Sequence, residues 1–390
     1  MTTIRLIVGT KKGGFIYTSD EKREAWELSD PILPGWSVYH AEVDTRSTPA
    51  RFYLAANHWA WGPSVARSTD LKDWDFRSPG LAFPEDLGIV VQNVWNVCPG
   101  PDDQPGVVYA GTQPAGLFRS DDWGETWASV DGLNRHEYRQ YWGWTGVGQS
   151  CLHSIEIDPR NPRRFFVSIS SGYSYVTQDG GDSWEIRAHR VIPKPETRRL
   201  SGEQAAQLSN DFEPEEKFTP PIPPGVDPAA ENEMHKLRID PKNPDRLWGQ
   251  AHVGVYRSDN GGDSWEDVTK GLPSFFGFPI AIARREPDAV FVVPLAFERD
   301  NFRVVDGQFA VYRTRDAGTS WERLTDGLPG PHSYQSVYRE GLDTDGLDQE
   351  GVYVGTSNGQ VFASNDGGDH WQRLPGDLPP ILSVTCAVTE

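Results

Sequence analysis

Cysteine is scarce in this chain of 390 residues: Cys98, Cys151 and Cys386 are an odd set with no metal-type spacing. That excludes a disulfide framework and a cysteine-based zinc module. Each lies in or at the start of an apolar strand pattern, where cysteine acts as a small buried hydrophobe. Basic residues are also in deficit, with Lys and Arg totalling 37 against 56 Asp and Glu, a formal net charge of −19. Nucleic-acid and anionic-membrane partners both select a basic patch, so neither is expected. No apolar run approaches 18 residues and no signal-peptide core is present; Met1-Thr2-Thr3-Ile4-Arg5 moves directly into a strand. A cytoplasmic protein is the expectation.

Aromatics and turn formers are abundant: Trp 15, Tyr 13, Phe 17, Gly 39 and Pro 31. Such a mixture suits many short strands joined by turns. The stretch Ser120-Asp121-Asp122-Trp123-Gly124-Glu125-Thr126-Trp127 recurs as Thr177–Trp184, Ser258–Trp265, Thr314–Trp321 and Ser364–Trp371. Two degenerate copies, Thr18 to Trp26 and Ser68 to Trp74, precede it. The closing tryptophans are separated by 48, 53, 57, 81, 56 and 50 residues. A period of about 50 residues marks an array of supersecondary units. Within each copy the Ser or Thr and the Asp two residues on can accept backbone N–H groups of a tight turn. The Gly permits a positive φ, and the Trp can bury its ring between neighbouring units.

These copies resemble the Asp-box, or BNR, repeat of sialidase-like β-propellers, and the resemblance covers nearly the whole chain. It implies a structural role for the box on the outer hairpin of each blade, away from the functional face. It does not carry sialidase activity. That family also needs an arginine triad, a Tyr–Glu nucleophile pair and an early Phe/Tyr-Arg-Ile-Pro motif, whose nearest match here is Ile4-Arg5-Leu6-Ile7.

Four antiparallel strands per repeat are plainest around Ser154–Asp158, Arg164–Ile169, Tyr173–Val176 and Trp184–Ile186. The turn Ile157-Asp158-Pro159-Arg160-Asn161-Pro162 returns as Ile239-Asp240-Pro241-Lys242-Asn243-Pro244. Ile4–Val8 aligns with a second strand, so blade one lacks its innermost strand, while Pro380–Val388 is one strand too many. The expected architecture is therefore all-β: a single seven-bladed propeller over residues 1–390, with four-stranded antiparallel blades and a C-terminal strand that completes blade one. A Pro-rich, charged insertion at about 187–233 separates blades four and five and reads either as a cap or as a free flap.

In a propeller the blade connections and the second-to-third-strand loops share one face. Eight of the nine histidines sort to it, all but His370, together with many aromatics. Rings beside hydrogen-bonding groups suit a sugar or another small polar molecule. The residues chosen for catalysis are His153, His235 and Glu233. Those chosen for ligand binding are His40, His58, Trp59, Trp95, Gln113, His252, Arg299 and His332. If the protein is an enzyme, it is a hydrolase or lyase of a glycoside-like substrate, working through a base and an acid. A divalent metal held by imidazoles from several blades is a second use of the face. A scaffold that grips a protein partner, resembling the photosystem assembly propellers that share these boxes, is the alternative.

Overall fold

The computed structural model describes residues 2–145, 148–187, 222–226, 233–297 and 302–389. Most of the insertion at 187–233, including His189, lies outside them, as does Arg299. Seven antiparallel sheets follow one another around a ring, and six of them have four strands. Each four-stranded blade ends in a two- or three-residue outer strand; Leu152–Ile157, Phe165–Ile169, Tyr173–Thr177 and Glu185–Ile186 make blade four. Blade two keeps three strands, and its fourth is reduced to the single bridge Arg67↔Asp75. The shortened copy Ser68–Trp74 leaves too little chain there for a ladder.

The ring closes as the ends of the sequence imply. Ile381–Thr389 pairs antiparallel with Thr3–Thr10, with Ile4 opposite Val388, Leu6 opposite Cys386 and Val8 opposite Val384. The edge of Thr3–Thr10 that would otherwise be open is thereby paired.

The apolar interior is divided by interface. Seven clusters of buried hydrophobic side chains each join two adjacent blades. Ile4, Leu6 and Val8 pack with Tyr353, Val361 and Ala363 between blades one and seven. Trp248 and Val255 pack with Ile280, Val290 and Val292 between blades five and six. Because both faces of every blade are covered, the middle strands of blade four read as continuous burial rather than alternation; Phe165–Ile169 and Tyr173–Thr177 are buried throughout.

The recurring turn is held by its own side chains. Ser120 Oγ donates to Asp122 Oδ1 (2.7 Å) and accepts from the Gly124 N–H (2.8 Å), while Asp122 Oδ1 accepts from the Thr126 N–H (2.8 Å). The same pattern holds the turns opened by Thr177, Ser258, Thr314 and Ser364. Gly124 has φ 85°, where a side chain would be strained. The closing rings of Trp127, Trp184 and Trp371 are buried against neighbouring strands.

Candidate functional site

One backbone irregularity repeats on the inner strands. The ladder slips between Val38 and His40, Val94 and Asn96, Leu152 and Ser154, and Met234 and Lys236. A wider slip falls between Gly277 and Ile280. A bulge re-aims the extra residue, here Tyr39, Trp95, His153, His235 and Phe278. Tyr39 and Trp95 meet with ring centroids 4.7 Å apart, and His235 lies 4.8 Å from the Phe278 ring. From blade seven, Arg339 reaches over both Trp95 (5.8 Å) and Phe278 (5.3 Å). Blades three and seven are not neighbours, so these side chains meet across the ring axis, at the end of the channel where the inner strands begin.

Trp95 is oriented from behind. Gln113 Oε1 accepts from both Trp95 Nε1 (3.1 Å) and Asn93 Nδ2 (2.8 Å), and Gln113 Nε2 donates to the Gln149 carbonyl (2.7 Å). Gln113 thus braces the mouth from three directions. Arg339 differs from the other arginines near the axis. Among the described residues no carboxylate or carbonyl hydrogen-bonds its guanidinium, and its buried Nε has no partner. The imidazoles of His153 and His235 are 1% and 2% exposed. Burial, aided by Arg339, drives both well below the usual imidazole range, so they stand neutral as bases or ligands.

Beside Arg339, Glu233, His235 and His252 form a compact group whose donor atoms all lie within 4.8 Å of one another. The His252 N–H donates to the Glu233 carbonyl, prolonging the ladder of blade five by one pair. Glu233 stands opposite His252 just before the strand, and the bulge brings His235 to the same pair, so the three donor groups converge. Phe276, Phe278 and Phe297 surround the two imidazoles at 4.8–5.4 Å.

Deeper in the channel, charge replaces aromatic rings. Lys236 Nζ bonds both carboxylate oxygens of Glu340 at 2.6 Å, and His40 Nε2 lies 3.6 Å from the same carboxylate. Burial holds His40 at about 4, far below the usual imidazole value. His40 is therefore part of a buried polar plug beneath the mouth. Below the plug a cavity of about 230 Å³ is lined by Glu42, Glu156, Arg238, Arg284, Asp343 and Thr344, among others. Arg238 pairs with Glu156 at 3.1 Å, and burial pushes Glu42 up to about 7.

The other chosen residues sit apart. His58 packs with Trp36, Trp59 and Trp61 on a rim hairpin of blade two, where Trp59 is 92% and Trp61 70% exposed. His332 lies with Tyr334 in the exposed connection before blade seven. Sequence reasoning missed Arg339, Glu340, Glu156 and Arg238. Aligning the inner strands on the aspartates at their ends, Asp44, Asp158, Asp240 and Asp345, sets Glu340 level with Tyr39, His153 and His235, a signal that could have found Glu340.

No family model matches the chain. It is 24% identical over 233 residues to an oligoxyloglucan-reducing end-specific xyloglucanase of Emericella nidulans, covering 56% of this chain and 25% of that protein. It is 22% identical over 282 residues to the photosystem II assembly lipoprotein Ycf48 of a Synechococcus species, covering 61% and 80%. The chain thus spans about a quarter of the xyloglucanase's own length. Among solved structures, Ycf48 from Cyanidioschyzon merolae superposes with a TM-score of 0.52 at 14% identity over 87% of this chain and 88% of that one. Apo AztD from Citrobacter koseri superposes with a TM-score of 0.54 at 10% identity over 99% and 98%. An ancestral GH74 enzyme gives 0.53 at 16% identity, covering 86% of this chain and 38% of that one. At these identities the structures establish a shared architecture: a seven-bladed β-propeller of the kind found in the GH74 and Ycf48 proteins.

Proposed function

We propose that the protein binds a small polar, carbohydrate-like ligand at the aromatic and imidazole-lined mouth of its channel. The observation that carries this is Arg339, a guanidinium laid against Trp95 and Phe278 that hydrogen-bonds no carboxylate among the described residues. Five fixed N–H donors beside flat rings form a fork for an anionic or hydroxyl-rich group with an apolar face. The favoured ligand is therefore a saccharide bearing a carboxylate, stacked against the Tyr39–Trp95 pair. That three of the relatives are named as xyloglucanases agrees with a saccharide ligand.

Calorimetry with matched neutral and uronic-acid oligosaccharides tests the reading. Binding of the acidic member, and its loss in Arg339→Gln with an unchanged melting temperature, is expected. Absence of binding by either member overturns it.

A second reading, a scaffold for a protein partner, rests on a different feature. Trp59 and Trp61 stand almost fully out of the surface beside half-exposed Phe76, an arrangement that suits a docking patch. Trp59→Ala and Trp61→Ala remove that patch without touching the mouth, so the two readings separate cleanly.

A further inference from the structure

We infer that Glu233, His235 and His252 form a binding site for a first-row divalent cation, with zinc the best match. The donor atoms lie within 4.8 Å of one another, and two of their three separations match the spacing that a bound ion imposes. His252 Nδ1 lies 3.4 Å from His235 Nε2 and 3.4 Å from Glu233 Oε2. Bonds of about 2.1 Å to a tetrahedral ion place neighbouring ligand atoms about 3.4 Å apart. Ordinary hydrogen bonds are shorter, about 2.9 Å, and one imidazole N–H cannot serve both contacts at full strength.

A second observation concerns the tautomer. His235 Nδ1 lies 2.6 Å from the Gly277 carbonyl oxygen. A carbonyl only accepts, so the ring proton is on Nδ1, and Nε2 presents a lone pair toward His252. An imidazole whose far nitrogen donates to a carbonyl is the standard support of a metal ligand. The surroundings complete the shell. Phe276, Phe278 and Phe297 pack against the two rings, and Phe302 stacks on Phe276 at 5.1 Å. Two imidazoles and one carboxylate match the His₂Glu donor set that leaves a fourth position for water or substrate. The backbone places all three from one hairpin, so no movement between blades is needed to assemble them.

The site stands without a saccharide in the mouth, and its test uses the metal alone. Protein stripped with a chelator and dialysed is titrated with zinc against a chromophoric competitor, and separately with cobalt while the visible spectrum is read. One ion per chain and an intense tetrahedral cobalt band are expected. His252→Ala and Glu233→Gln should each weaken binding about 100-fold or more, since even changes outside the ligand shell cost about 10–100-fold. Both residues are partly exposed (side chains 31% and 26%), so the variants are expected to fold, and far-UV circular dichroism verifies that. Sub-stoichiometric binding by the parent, or unchanged affinity in both folded variants, overturns the assignment. Metal binding without saccharide binding would keep this site and reject the ligand reading.

Discussion

Lys236 and Glu340 offer the sharpest quantitative test of how the channel is built. The two side chains are 1% and 6% exposed and meet through both carboxylate oxygens at 2.6 Å. At an effective dielectric of about 20, that separation is worth about 6 kcal/mol of attraction. Removing each ion from water costs several kcal/mol, so the net contribution of the pair is close to zero. Breaking it is another matter, because one charge is then left buried alone. Lys236→Met and Glu340→Leu are each expected to cost about 3–5 kcal/mol. The double variant Lys236→Met/Glu340→Leu should lie within about 1–2 kcal/mol of the parent, giving a coupling energy larger than either single loss. Urea unfolding followed by tryptophan fluorescence measures all four corners of the cycle. The coupling should persist at 1 M salt, since buried pairs are weakly screened. Additive single costs would refute the picture of a dehydrated pair and mean that water fills the channel at that level.

Three further outcomes follow from other parts of the ring. Glu42, held at about 7 against an ordinary 4.5, keeps a proton in the folded state that the unfolded chain releases, so stability falls as pH rises through that interval. Glu42→Gln should exceed the parent by about 1–3 kcal/mol at pH 8 and match it near pH 4 in urea titrations; a constant difference across pH would contradict this. Asp179→Ala removes the acceptor for the Ser183 N–H and hydroxyl in one recurring turn and should cost about 1–2 kcal/mol. A loss above about 4 kcal/mol would show that the turns do more than hold themselves. Truncation after Pro380 strips the strand paired with Thr3–Thr10. Such protein should aggregate or elute as an expanded species in size-exclusion chromatography, and a peptide of residues 381–389 added in trans should restore the compact form.

The architecture was largely legible because its determinants are local and repeated. A Ser-x-Asp-x-Gly turn closes on itself within eight residues, so its spacing survives in sequence, and the surplus strand at Pro380–Val388 could be matched to the deficit before Ile4. Blade two departs where the copy Ser68–Trp74 is one residue short. The site was harder, since its groups converge through the ring rather than through sequence. His153, His235, His252, Glu233 and Trp95 were selected by loop position, and the structure gathers them at one end of the channel. The same criterion also selected His58 and Trp59, which stand on the rim, and His40, which is tied to Glu340 below the mouth. Loop membership says which end of a strand a residue occupies but not how far along the axis it sits. Arg339 has no local signature at all; only its meeting with Trp95 and Phe278 from two other blades distinguishes it.

The repeated inner-strand bulge has a consequence for how such a molecule can change. Each slip frees one side chain from the packing between wedges and points it at the axis, at Tyr39, Trp95, His153 and His235 alike. Substitution at one of these slots changes the chemistry presented at the axis while the surrounding sheet keeps its register. The barrel of wedges is therefore a fixed frame, and any specificity that its centre has would be set by a handful of interchangeable side chains.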